Sequence, residues 1–389
     1  VALENYTHIE NPATAPALRG PQAIPNDQSS AQDEHDDPSK PQHFPNKIQQ
    51  QARGPQDTAS GIARGFVEAV MKAAQGDKDA QVAVGDMYRD GKGVAQDYQA
   101  AMDWYLKATE QDDPAGQRKV GLLYDHGLGV TQNHSTAMDW YLKAAEQKDP
   151  GSQCNIGYLY SQGLGVTQNY STAMEWYLKA AEQKYPVGQC NIGHLYYDGL
   201  GVTQNYSTAT EWYLLAAEQG YPPAQRNLGI FYRLGQGVPQ DNAKAMEWYL
   251  KAADQGNVGA QQGIGRLHQH GLGVPQDYTK AMEWYLKAAA QGDAGAQCDV
   301  GYMYGLGVHQ DDAQAVEWYR KAAEQRHAVA QYNLGNMYKV GRGVPKDQAK
   351  AMEWYKKAAD QGDEDAKNEL DNLERQIISV QVLKRNQGY

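Results

Sequence analysis

From about residue 61 onward, apolar and polar positions follow the spacing of amphipathic helices, and one pattern returns at a fixed interval. Read from Ala80, positions 1, 5, 8, 9 and 12 of the interval carry Ala, Leu or Ile, Leu or Met, Tyr and Gly. At about 100° per residue these gather on one helix face. A second segment of the type AMEWYLKAAEQ turns Ala, Met, Tyr and the Ala-Ala pair inward and sets an acid at position 24 and Lys at position 28 outward. Between the two segments, glycines at positions 12 and 14 fit a helix end followed by a turn of positive φ. An Asp or Asn then opens the second segment in every unit (Asp97, Asn133, Asn169, Asn205, Asp241, Asp277, Asp311, Asp347), which is the preference of a helix N-cap. Each interval is predicted to be a helix-turn-helix.

The tryptophans fix the period. Trp104, Trp140, Trp176, Trp212, Trp248 and Trp284 are each 36 residues apart, Trp318 follows after 34 and Trp354 after 36. Units begin at Ala80, Gly116, Ser152, Gly188, Ala224, Ala260, Ala296 and Ala330; the seventh lacks two residues, so its first helix or its turn is shortened. Such a period is the mark of a solenoid, in which each unit buries its apolar face only against its neighbours. The fold expected is all-α: a solenoid over residues 61–385 of eight 36-residue repeats. Half-repeats flank it, a second-type helix at 61–76 and a capping helix at 364–377, beyond which the chain is expected to fray. Glycine at position 6 and alanine at position 22 are invariant and are read as letting helix backbones approach closely. In seven of eight units the acid at position 24 and Lys at position 28 are spaced for an i,i+4 ion pair, Leu215 being the exception.

Residues 1–58 differ in kind. They are rich in Pro, Gln, Asp, Ser and Asn and, over residues 1–60, carry eight acids against four bases, a composition expected to stay disordered. The whole chain has a formal charge of −11, which gives no electrostatic footprint for nucleic acid or for an anionic membrane surface. No apolar run approaches a membrane span and no signal pattern opens the chain, which starts at Val1. A cytoplasmic location is expected, with the ER lumen open if an upstream signal is missing. The three cysteines, Cys154, Cys190 and Cys298, share position 3 and form no close pair. One repeat apart, at roughly 10 Å, they exceed the roughly 7 Å reach of a disulfide, so free thiols are expected.

The pattern A-x-x-x-[LI]-G-x-[LM]-Y-x-x-G-x-G-V-x-x-D-x-x-x-A-x-x-W-Y-x-K-A-A-E-Q-G, best seen in NLGNMYKVGRGVPKDQAKAMEWYKKAADQGD at Asn333 to Asp363, resembles the Sel-1-like repeat family, a relative of the tetratricopeptide repeats. The resemblance covers roughly residues 62–377. It implies a right-handed alpha-alpha superhelix that serves as a scaffold or adaptor for other proteins, and no enzyme. Known members include ER-associated degradation adaptors, activators of chitin synthase in fungi and bacterial proteins in host contact, and a fungal origin is one expectation. The cysteine-rich branch linked to beta-lactam hydrolysis pairs two cysteines within each repeat, which no unit here does.

On the first helix, positions 3, 7 and 10 vary freely between units. In tetratricopeptide solenoids the first helices line the concave groove, and a similar arrangement would put Arg89, Arg118, Tyr158, His194, Tyr197, Arg226, Arg233, Arg266, Tyr302, Tyr332 and Lys339 on its wall. Six of these are basic, against Asp86 and Asp125 on the same positions, so an acidic peptide segment is the expected ligand, with arginine forks on its carboxylates and tyrosines as anchors. The cysteines are expected on the same wall. An asparagine ladder at position 4 (Asn155, Asn191, Asn227, Asn333, with Asp299) is read first as a tie between units. His268 and His270 lie two apart, on different helix faces, and imply no metal site. Gly-x-Gly-Val follows a helix rather than a strand and is no nucleotide fingerprint, and no nucleophile has a hydrolase context. No cofactor is expected.

Overall fold

A computed structural model describes residues 55–306 and 311–386, and among these it contains eighteen helices and no strand. In chain order they are α1 Pro55–Ala74, α2 Lys78–Asp90, α3 Tyr98–Thr109, α4 Pro114–His126, α5 His134–Glu146, α6 Pro150–Gln162, α7 Tyr170–Glu182, α8 Pro186–Asp198, α9 Tyr206–Glu218, α10 Pro222–Leu234, α11 Asn242–Ala253, α12 Val258–His270, α13 Tyr278–Ala289, α14 Ala294–Leu306, α15 Asp312–Glu324, α16 Ala328–Val340, α17 Gln348–Ala359 and α18 Glu364–Asn386. Helices α2 to α17 are eight pairs, each first helix packed on its second; α1 and α18 are the flanking half-repeats. The described chain divides between residues 255 and 256 into two compact units.

Local chemistry sets the ends of each helix. Asp97, Asn133, Asn169, Asn205, Asp241, Asp277, Asp311 and Asp347 cap the second helices, each side chain accepting a backbone N–H one turn on. Proline at the first turn opens α4, α6, α8 and α10, where its missing N–H costs nothing. Glycine ends seven of the eight first helices in the left-handed region, from φ +66° at Gly91 to +81° at Gly341. The second glycine of five of the turns has another reason as well: a Cβ on Gly237 would lie 2.3 Å from the Tyr206 carbonyl oxygen, because the turn leans on the second helix of the preceding repeat.

The invariant glycine of the first helix serves a side chain. A Cβ at Gly85, Gly121, Gly157, Gly193, Gly229, Gly265, Gly301 or Gly335 would stand 2.3–2.7 Å from the ring of Tyr105, Tyr141, Tyr177, Tyr213, Tyr249, Tyr285, Tyr319 or Tyr355, respectively. The expected backbone approach is thus an aromatic ring seated on a bare helix, and seven of these rings, Tyr177 excepted, are the largest fully buried side chains of the core. Their hydroxyls find acceptors on the first helix, Asp86 for Tyr105 at 2.7 Å and Gln269 for Tyr285 at 2.6 Å. In the seventh repeat α14 keeps 13 residues, so the deletion falls in the turn; Tyr319 OH then has no partner among the described residues.

Two expectations are corrected, and a third falls almost wholly outside the described residues. The capping helix does not stop at 377: α18 runs to Asn386. The disorder assigned to residues 1–58 lies outside the described residues apart from the last four, which α1 takes in. The acid-to-lysine pairs are replaced by a different contact. Lys107, Lys143, Lys179, Lys251, Lys287, Lys321 and Lys357 place Nζ 3.6–4.2 Å from the ring centroid of the tryptophan three residues earlier. Among the described residues the predicted ion pair closes at Glu353 and Lys357, at 2.7 Å. A cation over an exposed indole is worth about 0.5–1 kcal/mol, as much as an exposed ion pair, and the ring holds the amine nearer its own stem.

A part-buried glutamine pair recurs in all eight repeats. The Nε2 groups of Gln111, Gln147, Gln183, Gln219, Gln255, Gln291, Gln325 and Gln361 donate to the Oε1 atoms of Gln81, Gln117, Gln153, Gln189, Gln225, Gln261, Gln297 and Gln331 over 2.7–3.1 Å. The pair also reaches back one repeat: Gln225 Nε2 donates to the Ala217 carbonyl at 3.1 Å and Gln255 Nε2 to that of Gly220 at 3.0 Å. Gln225→Ala removes two of these bonds and leaves a void, so it is expected to lower stability by about 2 kcal/mol. Hydrogen exchange of α10 checks this; protection equal to that of the wild type would refute it.

Candidate interaction face

The variable positions of the first helices are more enclosed than a groove wall, because positions 3 and 10 face the next repeat. Tyr197 is 7% exposed and lies 5.5 Å, centroid to centroid, from both Tyr206 and Phe231. Tyr332 is 6% exposed and sits 5.8 Å from the Tyr355 ring. Cys154, Cys190 and Cys298 form no disulfide and are buried, not on an open wall, and burial pushes the Cys154 and Cys298 thiols up, away from the thiolate.

Half-buried side chains remain on the same helices: Tyr158, His194, Arg226 and Arg233 in residues 55–255, and Arg266 and Tyr302 in residues 256–386. Three predicted cations are held by the chain's own acids. Arg89 lies 3.1 Å from Asp86 and 2.7 Å from Asp90, Arg118 lies 3.1 Å from Asp149, and Lys339 lies 2.7 Å from Glu369.

These contacts form a seam between consecutive first helices, in which position 4 of one repeat meets position 7 of the one before. Lys119 Nζ sits 2.8 Å from Asp86, whose same oxygen also takes the Tyr105 hydroxyl; burial lowers the Lys119 pKa. Asn227 Nδ2 is 3.0 Å from His194 Nε2. Asp299 faces Arg266, with Gln262 and Asp293 near it, and burial raises its carboxyl to about 7 against the attraction of Arg266. Asn227 and Asp299 thus tie units together, as the position-4 ladder suggests. Asp125, on position 10, accepts from His134 Nδ1 at 2.7 Å and the Tyr141 hydroxyl at 3.1 Å.

The outer side of the second helices carries clefts that the sequence reading passed over. One of about 600 Å³ lies between the second and third repeats, walled by Leu142, Ala145, Glu146 and Lys148 on one side and by Trp176, Lys179 and Glu182 on the other. A matching cleft of about 460 Å³ has Ala323, Glu324 and Arg326 facing Trp354 and Lys357. The signal was present in the invariant tryptophan, whose indole is too large to be covered by one repeat alone.

Among the described residues, no group of three His, Cys, Asp or Glu side chains is placed to hold a metal ion, and no helix is long and apolar enough to cross a membrane. His268 is half-buried and His270 exposed.

The family described as Sel1 repeat matches residues 78–113, 114–149, 150–185, 186–221, 222–257, 258–293, 294–327 and 328–363. Each match opens two residues before the units counted from Ala80. Among solved structures, a protective antigen present in uropathogenic Escherichia coli strains and displaying an SLR fold is 37% identical, with a TM-score of 0.57 over 78% of this chain. This chain spans 66% of that protein's length. A Sel1 repeat protein from Oxalobacter formigenes is 30% identical, with a TM-score of 0.55, over 85% of this chain and 98% of its own. A comparison with curated proteins finds no match.

Proposed function

Because this chain belongs to the Sel1 repeat family, we propose that it is a non-catalytic scaffold that binds other proteins through side chains displayed on its repeated frame. The observation that carries this reading is a contrast within each first helix. The core positions hardly change from repeat to repeat, whereas position 7 changes at every step and position 3 at every step but that from Cys154 to Cys190, with position 10 varying likewise, while the backbone beneath them keeps its helix-turn-helix. A frame of this kind presents a row of independent choices along one line, which suits recognition of an extended segment. The segment proposed is acidic, with Tyr158 and His194 beside Arg226 and Arg233 as its contacts in residues 55–255. Arginine supports that choice because its planar fork matches a carboxylate.

The test is quantitative capture on the full chain, wild type beside Arg226→Ala/Arg233→Ala, at low and high salt. Retention of a defined set of proteins by the wild type, reduced roughly tenfold in the variant with a shallower salt dependence, is the expected result. Equal retention by both would remove this face from the reading.

A further inference from the structure

One tryptophan of the ladder lacks its lysine. In the fourth repeat Leu215 stands where seven other second helices carry the lysine that lies over the indole. Trp212 is half-buried, anchored on the core beneath it, and Leu214 and Leu215 beside it are 37% and 46% exposed. Glu211 and Glu218 flank them, both exposed, on a helix that contains no basic residue at all. The fourth repeat therefore joins an apolar surface to two carboxylates, at the place where its sister repeats are neutralised from within.

We propose that the outer face of the fourth repeat is a docking site for a basic, leucine-bearing amphipathic segment of a partner protein, whose lysine or arginine lies over Trp212 in the seat that the chain's own lysine fills elsewhere. The seven filled seats are the template for the contact: a cation 3.6–4.2 Å from the indole centroid, reached from the solvent side of the helix. Glu211 and Glu218 select for positive charge, and Leu214 and Leu215 give the partner's leucines an apolar surface. An acidic occupant is repelled by the same carboxylates, which sets aside the chain's own residues 1–60, with eight acids against four bases. The site is separate from the first-helix face.

The probe is a short fluorescein-labelled amphipathic peptide of leucine and lysine, beside a leucine and glutamate counterpart, titrated with the full chain and read by fluorescence anisotropy. The wild type binds the lysine peptide and not the glutamate one. Leu215→Lys gives the fourth repeat the residue its sisters carry, fills the seat from within, and weakens binding about tenfold, the scale of a desolvated cation on an indole. Lys179→Leu, which vacates the seat over Trp176, tightens it. Arg226→Ala/Arg233→Ala leaves it unchanged. Binding by Leu215→Lys within twofold of the wild type overturns the proposal, as does loss of binding in the arginine pair but not in Leu215→Lys, or absence of wild-type binding to the lysine peptide.

Discussion

Asp299→Asn is expected to stabilise the protein by about 2 kcal/mol at pH 8 and to change it little at pH 4. Asp299 is 5% exposed, and burial raises its carboxyl from the ordinary 3.8 to about 7 in spite of Arg266. The folded chain thus holds a proton that the unfolded chain has released between these two values. Where the folded state binds more protons, stability falls as pH rises, so the penalty is absent below pH 3.8 and complete above about pH 7. At about 1.4 kcal/mol per pH unit its ceiling is about 4 kcal/mol, and loss of the buried acid's remaining hydrogen bonds takes back part of it. Asparagine already occupies this position in four repeats, at Asn155, Asn191, Asn227 and Asn333. Chemical denaturation of both proteins from pH 4 to 8 gives the comparison; a variant less stable than the wild type at pH 8 would show that Arg266 holds Asp299 ionised.

Gly157→Ala should cost about 3 kcal/mol, against the usual preference of a helix for alanine. In an open helix the change would contribute up to about 1 kcal/mol of stability, since glycine loses more chain entropy. Here the new Cβ meets the Tyr177 ring at 2.6 and 2.7 Å, and that ring is 3% exposed and closed in by the core. Overpacking of this severity costs more than the helix gains. The loss should be read by hydrogen exchange in α6 and α7 as well as by melting, because repeat arrays need not unfold in one step. A melting temperature at or above that of the wild type would mean that the tyrosine can swing away.

The parts of the fold that depend on neighbours in sequence were legible before the structure. Asp97 and its seven counterparts read as caps, Gly91 and Gly127 as helix ends, and the 36-residue tryptophan spacing as a solenoid, because each signal sits within a turn or two of what it governs. The enclosure of Tyr197, Tyr332 and Cys154 was not legible. Tyr197 is covered by Phe231 of the next repeat and Tyr332 packs on Tyr355 of its own second helix, and a single helix's periodicity counts such faces as solvent. The glutamine pairs were invariant and plain to see, yet their partners stand 30 residues apart, or 28 in the seventh repeat. At Lys107 and its counterparts the sequence offered both an acid and an indole on the same helix, with contact energies too close for spacing to decide between them.

The seam along the first helices bears on how such a chain can evolve. Backbone, caps and core make its units look interchangeable, and unequal crossing-over readily lengthens or shortens a tandem gene of this kind. Lys119 finds a carboxylate only because Asp86 belongs to the unit before it, and Asn227 finds an imidazole only because His194 does. Move the second unit behind the fourth, and a half-buried lysine meets a histidine in place of an acid. Recombination can therefore copy a unit with little harm to its own fold, while reshuffling the order breaks pairings at both new borders. The seam works as an address written into the array, recording which unit was meant to follow which.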